Sequence, residues 1–549
     1  MQKSCPASVD AAAPNFLRRH WRFFLLFSLI AFAFRLWFLL HFRMLTADTF
    51  IYGDIAKNWL QSGIYGISGP TGADPTYIRM PGYPAFLALI WKIAGPEHYN
   101  AVLIAQVFVD VGTCFLIADL TRRMFSRPAP AQDLSSRRGR QSDEGSGVDL
   151  SQQTELQSEE ESSSERHGWR SHPSGLLWRK AGKHRAPLTP AEKASLIAFA
   201  LAAVCPFFAS YSSAALTECL AIFFAALAFD LVLAALAHPE SQALWIAVGL
   251  ALAGGIFMRP DGGMLLATIG LYLAWRFLRT RQSHFITGLV LISVFSLSPL
   301  LPWTIRNWRL YHLFQPLTPF AANAPDEFVA HGFDRWTRTW IADYSSLEDI
   351  GFRVPLEEID TADLPARAFD SPEQREQTQQ LFDDYNNGDK IIHPELDARF
   401  AQLANERIRH SRFRYYVWLP VVRLADLWLR PRTEMLPIDV HWWRYWDDPH
   451  DFSLALLLAL INAFYLIAAV LGAIRWRGCL LGIGIVGIFV VIRSLFLMYL
   501  PNPEPRYMLE CYPAIVALAG IGLTSRKRSS IGSRRNYVGM ADLGRSGGA

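Results

Sequence analysis

Carboxylates and arginines recur at the ends of the apolar segments of this chain, and together these residue types can do chemistry on a phosphate ester. The first two acids, Asp48 and Asp54, lie in "LTADTFIYGDIAKNWLQSGIYG", residues 45–66, just after the first long apolar segment. A carboxylate can take a proton from an attacking hydroxyl or amine. The planar fork of arginine matches phosphate oxygens and stays charged at any working pH. The combination suits transfer of a head group from a phosphate-bearing lipid.

Similar polar residues stand where other apolar segments begin or end. Ionisable groups at such positions are costly, so each is a functional candidate. Singly, each is better explained as a head-group contact, a helix cap or a topological charge, but as a set on one face they indicate a site. The set is Arg79 in "YIRMPGYP", Glu218 in "ALTECLA", Arg259 and Asp261 in "FMRPDGG", Arg306 and Asn307 in "LPWTIRNW", and Glu504 and Arg506 in "NPEPRYMLE".

The composition predicts that membrane helices position these residues. Hydrophobic residues make up 51% of the 549 positions. A spanning helix needs about 20 mostly apolar residues, and we count about ten such windows, within a range of roughly 9–13. The predicted fold class is therefore an all-α polytopic membrane protein. The windows are 21–43, 98–121, 191–209, 214–237, 242–258, 261–278, 284–303, 452–474, 478–500 and 508–524.

Basic residues beside these windows predict the orientation, because Lys and Arg accumulate in cytoplasmic loops. Arg18, Arg19 and Arg22 put the N-terminus in the cytoplasm, and with ten spans the C-terminal tail returns there. We therefore expect a multi-pass protein of the cell inner (plasma) membrane with its acids and arginines on the external face. The net charge of +4 sits mostly in cytoplasmic loops, so it predicts no nucleic-acid partner.

The chain divides into segments of different polarity. A Ser-, Glu- and Arg-rich stretch at 124–189 cannot bury enough apolar surface to order itself, which predicts a disordered cytoplasmic insertion. The aromatic, Arg-containing stretch 412–430 predicts an interfacial helix. The full division is a cytoplasmic N-terminus 1–20, first spans 21–123 with an external catalytic loop 44–97, the insertion, a membrane domain 190–303, an external mostly helical segment 304–451, C-terminal spans 452–524 and a basic tail 525–549.

A helical wheel separates the two acids of the first loop. If 48–62 is helical, an apolar stripe that includes Tyr52 and Trp59 faces the membrane surface, which predicts an amphipathic helix. Asp48 then lies on the stripe side at the first turn, where an N-cap role is the alternative. Asp54 points to water beside Lys57. Asp48 is therefore the stronger candidate for chemistry.

The motifs together resemble the GT-C glycosyltransferases, in the branch of dolichyl-phosphate-mannose protein mannosyltransferases and the lipid A aminoarabinose transferase. The resemblance rests on "DTFIY" after the first span, "RMPGYP", "TE" at the start of a span, "PWTIRN", and "PEPRYMLECYP" at the start of the last span. It covers about 45–125, 190–320 and 400–525. It leaves out the insertion and most of 320–400.

The resemblance implies a role for each matched residue. Asp48 corresponds to the catalytic base, with Asp54 as a second catalytic-loop acid, and the phosphate of a polyprenyl-phosphate sugar donor is held by arginines, among which we expect Arg79 and Arg506. The basic residue of the family motif stands one position later, where this chain has Met80. The remaining substrate-binding residues would be Tyr52, Glu218, Arg259, Arg306, Asn307, Glu504 and Tyr507. The implied reaction inverts the anomeric carbon, and the acceptor is a protein, lipid or glycan.

Two other functions remain as alternatives. A transporter or flippase would place charges at midplane depth, as Arg35 in "FAFRLWF" suggests, and would use broken helices there. A glycan transferase like the O-antigen ligases would share much of the topology. Clustering of Glu218, Arg259 and Arg306 with Asp48 in one cavity would favour transfer. No cofactor is firmly implied, although a pair of carboxylates could hold a divalent cation.

Overall fold

The computed structural model describes residues 15–125, 188–325, 327–502 and 504–525. Almost all of the predicted insertion and C-terminal tail, and most of the predicted N-terminal segment, lie outside these ranges. Within the described residues, helices alternate with loops, and the one sheet is an antiparallel hairpin of Gly66–Gly69 with Gly72–Pro75. The all-helical expectation missed this hairpin, which is short and rich in glycine.

In the part of the chain that the structure describes, four helices are long and apolar enough to cross a membrane: Trp21–His41, Tyr99–Arg123, Glu218–Ala237 and Pro449–Trp476. Two bent pairs, Pro190–Ala203 with Pro206–Ser212 and Ser283–Leu297 with Leu300–Tyr311, raise the number to six if each pair is one span. The protein is therefore a mostly helical multi-pass membrane protein, and the predicted count of about ten spans is not confirmed. Two predicted windows fold as shorter helices, Gln242–Met258 and Ile483–Leu497, and Gly82–Ala94 is a further short apolar helix.

Further helices complete the described chain. The longest helices of the polar segment 304–451 each bury one face that carries Leu and aromatic side chains, as the spacing of these residues predicts. The remaining helical elements, in chain order, are Asn15–Arg19, Ala47–Ser62, Pro260–Gly262, Gly263–Thr280, His331–Thr337, Tyr344–Ser346, Leu347–Gly351, Ala366–Ala368, Pro372–Asn387, Pro394–His410, Arg414–Trp418, Leu419–Leu429, Pro505–Cys511 and Tyr512–Gly522.

Small residues let the C-terminal helices of the bundle approach closely. Every residue of the helix Tyr512–Gly522 is buried. A Cβ added at Gly472 would lie 2.1 Å from the carbonyl oxygen of Leu518, and one at Gly522 would lie 2.0 Å from that of Ala468. Contacts of this kind are typical of helix packing in membranes, where close van der Waals contact replaces the hydrophobic effect.

Arg35, the charge within the first span, closes a helix break. Its side chain is fully buried, and its Nε lies 2.5 Å from Oδ2 of Asp110. The same guanidinium donates to the carbonyl oxygens of Ala202 (3.1 Å) and Ala203 (2.7 Å). These carbonyls end the helix Pro190–Ala203. In a continued helix the carbonyl of Ala202 would accept from residue 206, but Pro206 has no N–H to donate. Arg35 therefore has a structural explanation and does not require a transport route.

The first polar loop folds as predicted into a surface helix, Ala47–Ser62. Thr46 caps it in a reciprocal arrangement with Thr49, so the alternative N-cap role of Asp48 is wrong. The hydroxyl of Thr49 accepts from the amide of Thr46 at 3.0 Å, and the side chain of Thr46 faces the amide of Thr49 in return, as in a capping box. The carboxylate of Asp48 is consequently available for other partners.

The polar segment 304–451 has its own small core. Buried aromatic residues from the helices His331–Thr337, Pro372–Asn387 and Pro394–His410 form it, among them Trp336 and Phe400. Arg423, which is 2% exposed, fastens the helix Leu419–Leu429 to this core by donating to the carbonyl oxygen of Ile341 at 2.7 Å. The segment is mostly helical, in agreement with its sequence pattern.

Candidate active site

A cavity of about 1720 Å³ lies where the surface helix, the ends of several bundle helices and the polar segment meet. One part of its lining is charged and comes from the sequence-predicted set. The other part comes from 318–338, 351–356 and 391–394 of the polar segment and includes exposed apolar side chains such as Leu356 and Phe320. The predicted residues that line the cavity are Asp48, Tyr52, Arg79, Glu218, Arg259, Asp261, Glu504, Arg506 and Tyr507.

Asp48 lies between two arginines in this cavity. Its Oδ1 accepts a hydrogen bond from Nη2 of Arg79 at 2.7 Å, and its Oδ2 lies 3.7 Å from Nη2 of Arg506. The side chain of Asp48 retains 31% exposure, so a substrate can reach it. Arg79 also lies over the ring of Tyr52, 5.7 Å from its centroid.

Close backbone packing brings Arg79 to this position. Gly82, three residues further on, lies against the carbonyl of Phe257, and a Cβ at Gly82 would be 2.4 Å from that oxygen. The "RMPGYP" motif is therefore held against the helix Gln242–Met258, which ends just before Arg259. The glycine thus explains how two arginines distant in sequence reach one cavity.

Glu504 and the start of the helical element Pro505–Cys511 contribute an acid, an arginine and a tyrosine that contact one another. Arg506 Nη2 donates to Oε1 of Glu504 at 3.0 Å, and its Nε lies 2.6 Å from Oε2 as an ion-pair contact. The hydroxyl of Tyr507 donates to Oε1 of Glu504 at 2.5 Å. Arg506 Nε also lies 3.6 Å from Oε1 of Glu218. Glu504 and Glu218 thus hold the guanidinium of Arg506 toward Asp48.

Arg259 continues the array away from Asp48. It donates to Oε1 of Glu218 at 2.8 Å and to Oδ1 of Asp261 at 3.0 Å. Its guanidinium also lies over the ring of Tyr507, 4.6 Å from the centroid, a geometry that favours a cation. Arg259 is therefore fixed by two acids and an aromatic ring.

Two residues of the array were not identified as candidates from the sequence. Arg493 is fully buried and contacts Asp261 and Glu510, while Glu510 lies 3.7 Å from Arg259. Arg493 falls inside an apolar window, "FVVIRSLFL". The cost of a charge in such a window is a signal that could have identified it.

The structure does not bring three predicted site residues to the cavity lining. Asp54 accepts hydrogen bonds from the amide and hydroxyl of Ser68, both at 2.6 Å, and so fixes the hairpin. Arg306 donates to the carbonyls of Tyr65 and Thr76 and to Oδ1 of Asn307. Asn307 donates to the carbonyl of Gln315. All three residues therefore stabilise the hairpin or its neighbouring loops.

The arginines determine the protonation of Asp48. Burial raises the pKa of its carboxyl, but Arg79 and then Arg506 outweigh this effect, and the pKa falls below its ordinary value. Burial is also the main reason that the pKa of Tyr52 rises to about 12. Asp48 is therefore ionised at neutral pH, as a general base must be, while Tyr52 keeps its proton.

A metal site is not formed by the cavity acids among the described residues. Glu218 and Glu504 are occupied by arginines, and the group of potential ligands with metal-like spacing in the described chain lies elsewhere. That group is Asp448, His450 and Asp451 at the start of the helix Pro449–Trp476. Asp448 accepts from the amides of the other two, so helix capping accounts for it.

The fold and this array of carboxylates and arginines define a helical multi-pass membrane protein with a polar cavity at one end of its helix bundle. Residues 186–303 match the family model described as "Dolichyl-phosphate-mannose-protein mannosyltransferase". This match confirms the family resemblance predicted from the sequence. The matched segment contributes Glu218 and Arg259 to the cavity. No curated protein matches the chain.

Among solved structures, the chain is similar to the archaeal oligosaccharyltransferase AglB from Archaeoglobus fulgidus, which was solved in complex with an inhibitory peptide and a dolichol-phosphate. The identity is 13%, the TM-score is 0.46, and the alignment covers 92% of this chain and 50% of that one. The present chain thus spans about half the length of that protein.

Proposed function

We propose that this protein moves a sugar from a polyprenyl-phosphate donor to an acceptor at the cavity, with inversion at the anomeric carbon. The observation that supports this most directly is the placement of Asp48 between Arg79 and Arg506 in a cavity of about 1720 Å³. Such a transfer needs a base and cations that bind the phosphate. Asp48 and the two arginines beside it supply both. The family description of residues 186–303 points to the same class of donor.

The proposed reaction is a direct displacement. The acceptor's hydroxyl or amine attacks the anomeric carbon, Asp48 takes the proton that this group loses, and the bond from the anomeric carbon to the phosphate oxygen breaks. The polyprenyl phosphate leaves with the electron pair of that bond. Arg79 and Arg506 stabilise the charge that develops on the phosphate, an electrostatic contribution that is usually the largest in such reactions.

The same two arginines link donor binding to the availability of the base. In the structure, Arg79 donates to Asp48 at 2.7 Å. A phosphate bound by Arg79 and Arg506 would compete for their N–H groups, because each fork has a limited number of donors. Asp48 would then exchange an arginine partner for the acceptor's hydroxyl or amine.

The remaining cavity residues support this arrangement. Glu218 and Glu504 orient Arg506, and Tyr507 lies under Arg259, so these acids act through the arginines. Tyr52 lies beneath Arg79 and lines the cavity, where it can contact the sugar. The acceptor would enter along the polar segment, whose residues line the rest of the cavity. We place this cavity on the external face of the inner membrane, as the basic flanks predict.

Transport is less well supported as a function. The charged cavity residues come from the surface helix and from helix ends, and Arg35, the midspan charge that favoured transport, is held by Asp110 and two carbonyls. Glu218 and Arg259 join Asp48 through Arg506, which is the clustering expected for transfer. Arg306 does not join them.

The test is transfer of radiolabelled sugar from polyprenyl-phosphate sugars by the purified protein, with Asp48→Asn compared against the wild type. We expect the variant to lose at least about a hundredfold in rate, the lower range for removal of a general base. Asp54→Asn is the matched control, because the same change on the same helix removes an acid that binds Ser68 outside the cavity. Normal turnover by Asp48→Asn, or no release of sugar by the wild type from any donor tested, would refute the proposal.

A further inference from the structure

We infer that Arg493, a buried arginine outside the cavity, positions Arg506, one of the two proposed phosphate-binding arginines, and is required for tight binding of the lipid phosphate. This inference rests on the proposed function, since it assigns a role to the neighbours of the proposed phosphate site. Arg493 lies in the helix Ile483–Leu497 and is fully buried. It does not line the cavity, so its effect must pass through other residues.

All three guanidinium nitrogens of Arg493 donate hydrogen bonds to segments that carry site residues. Nη2 donates to Oδ2 of Asp261 at 2.9 Å, and Nη1 donates to Oε2 of Glu510 at 3.0 Å. Nε donates to the main-chain carbonyl of Tyr507 at 2.6 Å. The side chain of Arg493 thus connects the turn after Arg259 to the segment that carries Glu504 and Arg506.

The two acids that Arg493 holds are also partners of Arg259. Asp261 Oδ1 accepts from Arg259 at 3.0 Å, and Glu510 Oε1 lies 3.7 Å from the same nitrogen. Each acid therefore shares its two oxygens between two arginines. This sharing fixes Arg259 where it binds Glu218 at 2.8 Å, and Glu218 in turn lies 3.6 Å from Arg506.

Loss of Arg493 would rearrange this array in a defined direction. Asp261 and Glu510 would become buried acids with one arginine between them, and leaving buried charge without a partner is strongly unfavourable. Arg259 would move toward them and away from Glu218. Glu218 would then draw Arg506 toward itself and away from Asp48 and the phosphate. The hydrogen bond from Arg493 to the main-chain carbonyl of Tyr507 would also be lost. The main chain that carries Arg506 would then be held less firmly.

A purely packing role would not need these contacts. A buried ion pair is often no more stabilising than apolar residues of the same volume, and Leu or Phe would fill a position in this apolar helix. The three donors of Arg493 instead all reach residues that contact, or are adjacent to, the predicted phosphate site. The chemistry that this arrangement serves is recognition of a lipid-linked phosphate.

The experiment measures binding of polyprenyl phosphate, and the KM and kcat for the polyprenyl-phosphate sugar, on Arg493→Lys and Arg493→Met in the full chain. Lysine keeps the charge but cannot reach two carboxylates and a carbonyl in one plane. We expect both variants to bind polyprenyl phosphate roughly ten- to hundredfold more weakly, because small displacements of positioning groups have effects of that size. The KM for the donor should rise accordingly, with a smaller change in kcat.

Arg35 provides the matched control. It is also a fully buried arginine within an apolar helix that binds a carboxylate and main-chain carbonyls, but its partners lie outside the cavity array. Arg35→Lys and Arg35→Met should lower the unfolding temperature and leave the affinity of the folded protein for polyprenyl phosphate within about twofold of the wild type.

The outcomes separate this inference from the proposed function. If the wild type binds polyprenyl phosphate and Arg493→Lys binds it equally well, the positioning role is wrong and the proposed function stands. Equal losses of affinity in the Arg493 and Arg35 variants would show a general effect of destabilisation and also overturn the inference. If the wild type does not bind polyprenyl phosphate, the proposed phosphate site fails and the inference fails with it.

Discussion

At the scale of single residues, the cavity is an array in which each carboxylate has an arginine partner. Asp48 differs from the others in its exposure of 31%, whereas Glu218 and Glu504 are 4% and 8% exposed. The buried acids orient arginines, and the exposed acid is accessible to an acceptor. This difference in exposure, together with the pairing, distinguishes the proposed base from the acids that support it.

The pH dependence of the reaction tests the link between Asp48 and Arg79. Arg79 lowers the pKa of Asp48, so the base stays ionised as pH falls and loses activity only when pH drops through that lowered pKa. In Arg79→Met, the positive charge that most strongly counteracts burial is missing, so the pKa of Asp48 rises. We therefore expect the acid limb of the profile of kcat/KM against pH to move to higher pH, in addition to a lower maximum.

The matched comparison for this profile is Arg306→Met, an arginine that contacts main-chain carbonyls beside the hairpin and does not contact Asp48. Its acid limb should coincide with that of the wild type. An unchanged acid limb in Arg79→Met would mean that Asp48 does not control the pH dependence.

At the scale of helices and loops, glycines determine where the segments that carry the site can meet. Gly82 allows the Arg79 motif to approach Phe257, and Gly472 and Gly522 allow the C-terminal helices to cross closely. The glycines at these crossings have no room for a side chain, because backbone carbonyls occupy the space that a Cβ would need.

The crossing of the C-terminal helices gives a stability prediction. In Gly472→Ala the new methyl would lie 2.1 Å from the carbonyl of Leu518, and overpacking of this kind costs about 1–3 kcal/mol. The unfolding temperature in detergent should fall. Gly487→Ala is the control, because no atom lies within 4 Å of a Cβ there, and it should leave the unfolding temperature the same or slightly higher. Equal stability of the two variants would contradict the close crossing.

Sequence patterns could predict the surface helix and the charged helix ends, because helical periodicity and the cost of membrane charge are local signals. They could not separate Arg306 from Arg506, since each arginine follows a proline within four positions and only the tertiary packing brings one to the hairpin and the other to Asp48. The partners of Arg493 come from segments distant in sequence, 232 and 17 positions away. The helix break after Ala203 was likewise missed, although Pro206 marks it.

At the scale of the whole molecule, the cavity is enclosed by the helix bundle on one side and by the polar segment on the other. Apolar side chains from that segment, including Phe320 (74% exposed) and Leu356 (71% exposed), face the space above the charged residues. Exposed apolar groups beside a polar site are typical of ligand-binding surfaces. The polar segment therefore supplies the apolar part of the cavity lining, which under the proposed function is where the acceptor would bind.

The sidedness of this cavity can be measured directly. If the basic flanks set the orientation, Leu356 in the polar segment faces outward, and Arg281, at the end of the helix Gly263–Thr280, faces the cytoplasm. Both positions are exposed, so a cysteine at either can react. In intact cells we expect a membrane-impermeant maleimide to label Leu356→Cys and not Arg281→Cys, with the second labelled only after permeabilisation. The chain without an added cysteine gives the background. The opposite pattern would place the cavity in the cytoplasm, where a lipid-phosphate donor on the external leaflet could not reach Asp48.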